Sequence, residues 1–404
     1  MAGLDSTAFA ALFKTRFTPQ MVQEVVYKQS PFLAMLNKDT NFVGDSEKIP
    51  LIYNDNQNIS SNFAIANGGT SSVESVAFLL TRERKYSTGF IDHETMLAAE
   101  TNEGAFMRAF ETEMKSMMRS LSNDICFGII NGGSGARAQI SAVNTSTKVV
   151  TLTNARDIVN IKRNMIIHAS ATKSGGTIRS GSIVVSSVNR SAGTFVYTGS
   201  ITGLAANDYL YRAGDYDAEI AGLDAWIPYD DRATELAASF FGVTRSADST
   251  RLGGWTADYS GQPIEEAIID GAALLGDEGA NTDTALMNPL DFAALQKALG
   301  SKVQYVRTDV QMDAVISFEG IMVQGPTGPI RVYAERHVPR GRMFLLQLDT
   351  WTLKSLGEPV RVFDADGIQA LRSPNRDGLD IRMNGYMNLA CHAPGFNGQF
   401  AIQS

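Results

Sequence analysis

From Thr101 to Ile130, apolar residues recur every three or four positions. Phe106, Phe110, Met114, Met117, Met118, Leu121, Ile125 and Ile129 fall on one stripe, the pattern of an amphipathic helix. Glu111 and Lys115 stand four apart on its polar side in the favoured order. At about 1.5 Å per residue the rod reaches roughly 40 Å, and Asn131-Gly132-Gly133-Ser134-Gly135 ends it. The methionines between Met107 and Met118 read as gap-filling core residues.

Upstream, the period changes to two. Ile49, Leu51 and Tyr53 alternate with other residues, as do Val76, Phe78 and Leu80, with Asn67-Gly68-Gly69-Thr70-Ser71-Ser72 between the runs. This predicts a long hairpin over 47–92, with arms of about 15–18 residues reaching roughly 50 Å. Its middle, Asn54-Asp55-Asn56-Gln57-Asn58, is strongly polar. A two-stranded ribbon with so little apolar cover is marginal in water, so a neighbouring copy is its expected support. Residues 1–46 form an arm in which Phe9, Leu12 and Phe13 share one face and Met21, Val25 and Val26 another.

Between 139 and 213, short strand-like pieces alternate with turn clusters. They are Lys148 to Leu152, Met165 to Ile167, Ile183 to Val185, Thr194 to Tyr197 and Tyr209 to Tyr211. Five or six such strands predict a small barrel or sandwich. Beyond it, Pro263 to Leu275 and Pro289 to Leu299 read as helices, the second closed by Gly300. Strands follow at Gly320 to Val323, Ile330 to Tyr333 and Met343 to Leu346, with a last alternating run from Leu379 to Leu389.

Hydrophobic residues make up 44% of the 404 positions and charged residues 19%, enough for two or three packed domains. The formal charge is −8, and the basic residues read as scattered along the chain, which argues against a phosphate-gripping arm. Arg outnumbers Lys about two to one, a bias that suits protein interfaces. Cys126 and Cys391 match no metal spacing and read as small buried hydrophobes. There is no signal-peptide pattern and no apolar run of the roughly 20 residues a bilayer needs.

Candidate chemistry is thin. His93-Glu94 opens like a zinc-protease helix but lacks the second histidine. The glycine run at 131–135 follows a helix where a phosphate loop follows a strand. Asp364-Ala365-Asp366-Gly367 lacks the distal Glu of a calcium loop, and Cys391-His392 reads as core packing at a strand end. No catalytic residue, metal or cofactor is expected. Arg82, Glu83, Arg84 and Lys85 alternate as a charged face expected to pair across a subunit interface.

The order of parts resembles the major capsid proteins of tailed bacteriophages, whose shell fold is shared with herpesvirus capsids. The stretch Ala285 to Leu295, with its Asn288-Pro289, is similar to the strand-to-helix step of that family's axial domain. Glu335 to Asp349 and Met383 to Leu389 resemble its later strands. The resemblance implies an α+β shell fold: arm 1–46, extended β-hairpin 47–92, peripheral domain with spine helix 93–138, axial domain 216–345 and a peripheral return 346–404. The strand-rich segment 139–215 is an all-β insertion beyond the minimal pattern.

By the same resemblance, copies form pentamers and hexamers of an icosahedral head around double-stranded DNA. The head is assembled in the host cytoplasm, with a separate scaffolding protein, portal and decoration proteins as further partners and no membrane. No scaffolding segment is expected to be fused at the N-terminus. Some relatives cross-link neighbouring subunits through a lysine, and Lys85 beside Glu83 is the position to compare. Two other readings are the shell of a bacterial nanocompartment, whose chains are usually shorter, and a hydrolase, for which no polar constellation is visible.

Overall fold

The structure, a computed structural model, describes residues 27–28, 30–69, 71–92, 94, 103–300, 304–311, 315–363, 370–373 and 376–403. The arm positions Phe9 to Val26, His93, residues 364–367 and the side chains of Phe106, Met107, Phe110 and Glu111 lie outside the described residues.

The spine helix, Glu103–Ile130, runs 28 residues, about 42 Å at the usual rise. Met114, Met118, Leu121, Ile125 and Ile129 on its apolar stripe are buried in the largest core. Beneath it lies a sheet organised around one long strand, Gly378–Cys391. Along one edge this strand pairs antiparallel with Glu83–Asp92, from Gly378↔Asp92 to Met387↔Glu83. Its other edge takes Trp351–Ser355, Arg361–Val362 and Ala370–Arg372 in turn, and Asn37–Asp39 adds parallel to Trp351–Ser355. Gly89 sits where helix meets sheet: a Cβ there would come within 2.3 Å of Met117 Sδ.

This arrangement corrects the expected hairpin. Its arms are Ser46–Asn54 and Glu74–Thr81, of 9 and 8 residues, about 30 Å long. The segment Glu83–Asp92 leaves the ribbon at Arg82 and joins the peripheral sheet. Both segments alternate in the same way, and period alone does not name a strand's partner. A short helix, Phe63–Gly68, stands at the tip, capped by Asn62 Oδ1, which accepts from Ala64 N.

A seven-stranded sheet forms the second layer system. Its order is Trp255–Tyr259, Gly398–Ile402, Arg342–Leu346, Thr284–Met287, Gly328–Ala334, Val315–Gly325 and Gln304–Gln311. Helices Ile264–Asp277 and Pro289–Leu299 cover it, burying Ile268, Leu275 and Leu295 against Val332, Leu345 and Phe400. Asn288 Oδ1 accepts from Leu290 N at 3.1 Å ahead of Pro289, and Gly300 at φ 51 ends that helix. The final strand, Gly398–Ile402, lies in this sheet, so the chain does not finish in the peripheral layer as the range 346–404 expected.

Between the spine and the second sheet, the chain makes a closed six-stranded barrel. It comprises Ala136–Asn144, Val149–Leu152, Ile166–Ser170, Gly181–Asn189, Thr194–Ile201 and Tyr209–Arg212. The barrel has its own core of Ile140, Val150, Ile167, Ile183, Phe195 and Leu210. Closure leaves no unpaired edge. Cys126 and Cys391 are both free and buried.

Candidate functional site

The hairpin is anchored on its own chain. Strand alternation sends Ile49, Leu51, Phe78 and Leu80 to one face, and all four are buried. Phe78 meets Trp226 edge-on at 5.1 Å between centroids, and Phe240 packs on Trp226 at 5.0 Å. Arg245 lies over Phe240 at 4.2 Å and donates to the carbonyls of Ala225 and Trp226, holding that aromatic platform in place. Two backbone links finish the joint: Leu79 N donates to Phe241 O, and Arg251 donates to Tyr53 O. The expectation of a ribbon unsupported by its own chain is therefore corrected at the root.

The tip differs. Asn58 closes the loop, its Nδ2 donating to Ser71 O at 2.8 Å and its Oδ1 accepting from Ser71 N at 3.0 Å. A Cβ at Gly69 would meet Asn58 Oδ1 at 2.1 Å, so only glycine lets the two segments approach this closely. Beyond this clasp Ile59 is 85%, Phe63 82% and Ile65 66% exposed. Three large apolar side chains within seven residues are thus exposed to water on a loop that hydrogen bonds hold in shape. Large apolar side chains so exposed on an ordered loop point to a contact surface.

Lys85 occupies a different place from the one expected. It faces the interior, 4% exposed, with Nζ 2.8 Å from Glu219 Oε1, 3.1 Å from Asp124 Oδ2 and 3.1 Å from Asp215 Oδ1. Arg137 contacts the same three acids: Asp124 closely, Asp215 at 2.9 Å and Glu219 at 3.6 Å. Arg212 adds a 2.8 Å contact to Asp124, and Phe127 stacks under the Arg137 guanidinium at 4.4 Å. Four parts of the chain meet here: the peripheral sheet through Lys85, the spine through Asp124, the barrel's first and last strands through Arg137 and Arg212, and the outgoing linker through Asp215 and Glu219.

Electrostatics fix the charges. Burial works against ionised Asp124, but Arg137, Lys85 and Arg212 outweigh it and hold the carboxyl well below the usual range. Burial works against the Lys85 ammonium too, and Glu219, Asp124 and Asp215 more than offset it, so the amine stays protonated. Glu219, fully enclosed, is pushed up to about 7 by burial and by the neighbouring Asp124 and Asp215, with Lys85 and Arg137 opposing. The three carboxylates lie near enough together to hold a metal ion. Lys85 and Arg137 already supply positive charge among them, so the cluster neutralises itself.

The expected subunit-facing role of Lys85 does not fit this position. Its amine is protonated, enclosed and engaged within its own subunit, whereas an amine must be neutral and reachable to attack a partner's side chain. Its neighbours on the strand split. Arg82 is half-buried, lies over the Phe42 ring at 5.2 Å and donates to Phe42 O. Glu83 is half-buried, and Arg84 is exposed. No local pattern announces the cluster, because its acids stand 39 to 134 residues from Lys85.

A second buried joint links arm, spine and second sheet. Ser30 caps helix Pro31–Met35 by accepting from Leu33 N, and its hydroxyl donates to Glu335 Oε2 at 2.5 Å. Burial pushes the enclosed Glu335 carboxyl up to about 7, against the hydrogen bond from Ser30. Burial and the neighbouring Arg336 lower His337 to about 3, leaving a neutral ring against Phe127.

No protein-family profile and no curated protein sequence matches the chain. Solved structures do. The capsid asymmetric unit of cyanophage A-1(L) superposes with a TM-score of 0.52 at 9% identity, covering 96% of this chain and 94% of that one. The capsid of a native GTA particle gives 0.45 at 8% identity, covering 93% and 91%. A Gordonia phage Cozz structure gives 0.44 at 10% identity, covering 93% and 87%. The chain has the tailed-phage major capsid fold, and at such identity the first of these likenesses speaks for fold alone.

Proposed function

We propose that this chain is the major structural subunit of a tailed-phage head. Copies join as pentamers and hexamers into an icosahedral shell around double-stranded DNA, assembled in the host cytoplasm. A separate scaffold, a portal and decoration proteins are the further partners this reading calls for. The observation that carries it is the hairpin: anchored by Phe78 on Trp226, shaped by Asn58, and presenting Ile59, Phe63 and Ile65 to water. A loop so ordered and so apolar is complementary to a protein surface, and in a shell that surface belongs to a sister copy.

The role is structural rather than enzymatic. The densest polar constellation among the described residues is sealed and self-neutralised, which suits a strut and leaves a substrate no approach. Among the described residues no helix is long and apolar enough to cross a membrane. Arg84, exposed on the peripheral strand, remains the interface candidate of its group.

The test is the double variant Ile59→Asp/Phe63→Asp. Both side chains are exposed, so the monomer keeps its melting temperature while assembled particles disappear from sedimentation profiles. A variant that assembles as the parent does removes the hairpin from the account.

A further inference from the structure

Charge is divided unevenly along the chain, so the basic residues are not evenly scattered. Residues 136–212 contain nine Lys and Arg against two Asp, a formal +7, so the remainder of this −8 chain carries −15. The barrel spends part of its excess on its own subunit: Arg137 and Arg212 bind Asp124, and Lys173 lies 3.6 Å from Asp224. Attraction between a cationic barrel and acids outside it is thus already how the module is held.

Topology gathers much of what is left. All six barrel strands pair antiparallel. The connection from Leu152 to Ile166 and the turn from Asn189 to Thr194 therefore close the same end. Leu152 N donating to Gly193 O fastens the two together. They carry Arg156, Lys162, Arg163 and Arg190, of which the three arginines are exposed. None of the four makes a salt bridge to a carboxylate among the described residues. The single acid within these two connections, Asp157, is pushed up to about 7 by burial, which weakens its counter-charge; the acids of the buried cluster at the barrel's root are engaged by Arg137 and Arg212. Burial and the guanidiniums of Arg336, Arg212 and Arg137 lower the Lys162 pKa, with Asp124 opposing, so positive charge continues from this end to Arg336 just beyond strand Gly328–Ala334.

Resting on the shell reading above, we infer that this basic end, Arg156, Lys162, Arg163 and Arg190, docks on the acidic, non-barrel surface of a second copy of the chain. Complementary charge sets partner choice and register. In a shell, the −15 remainder of neighbouring copies is the acidic surface held at the highest local concentration. The barrel then bridges subunits by the chemistry that fastens it to its own.

The test uses assembled full-length protein made from mixed ¹⁴N- and ¹⁵N-labelled copies carrying Arg156→Lys, Arg163→Lys and Arg190→Lys, which keep the charge and supply amines. Zero-length carbodiimide coupling followed by mass spectrometry should yield mixed-isotope cross-links from these lysines to Asp or Glu outside residues 136–212. The reversal variant Arg156→Glu/Arg163→Glu/Arg190→Glu should still form shells, but ones that fall apart at several-fold lower salt. Cross-links confined to one copy, or unchanged salt resistance in the reversal variant, overturn the inference and leave the shell reading standing. So does binding of a 30-base-pair DNA duplex that the reversal abolishes, which assigns this end to nucleic acid. A parent protein that stays monomeric at high concentration sinks both.

Discussion

Lys85 Nζ lies 2.8 Å from Glu219 Oε1, joining the strand beneath the spine to the segment by which the chain leaves its barrel. The contact is enclosed and shared with Asp124, Asp215 and Arg137, so removing one member strands the others in a low dielectric.

Lys85→Met leaves three acids facing two arginines and should cost about 3–5 kcal/mol in denaturant unfolding. The double variant Lys85→Met/Glu219→Gln removes one charge of each sign and should recover part of that loss. Full additivity of the two single variants would show that they do not interact.

Glu335 gives a pH signature. Its folded value of about 7 lies above the ordinary glutamate value of 4.5, so the folded state holds the extra proton between these limits. Its contribution is greatest below the unfolded value and falls as pH rises toward 7, at up to about 1.4 kcal/mol per unit for one proton. Glu219 adds in the same direction. Thermal melts from pH 4.5 to 8 should show Glu335→Gln losing less stability than the parent as pH rises. Parallel curves would contradict the burial argument.

Much of this architecture announces itself locally. The helix at Pro289 carries its start and stop in neighbouring residues, Asn288 before and Gly300 after, and so does the spine with its stripe and terminal glycines. What stayed hidden was long-range partnership. Strand Glu83–Asp92 looks like a hairpin arm until Gly378–Cys391, nearly 300 residues on, is seen beside it. Lys85 looked like a surface charge because its acids come from three distant segments. The uneven charge was open to view, and a count over the barrel alone would have found it. The tip's exposed Ile59 and Phe63 were masked by the polar run just before them.

Phe78 carries the hairpin root. Phe78→Ala opens a cavity against Trp226 and should cost about 3–5 kcal/mol. Amide exchange in Ser46–Asn54 should rise more than in the barrel, whose core is separate. Equal loss of protection in both would show that the two cores unfold as one.

The most direct measurement is negative-stain microscopy of the purified full-length protein over a range of concentrations. The account predicts closed shells of uniform diameter, with five- and six-fold capsomers. A population of single, folded chains at every concentration, their Ile59 and Phe63 amides protected from exchange by their own subunit, would contradict it.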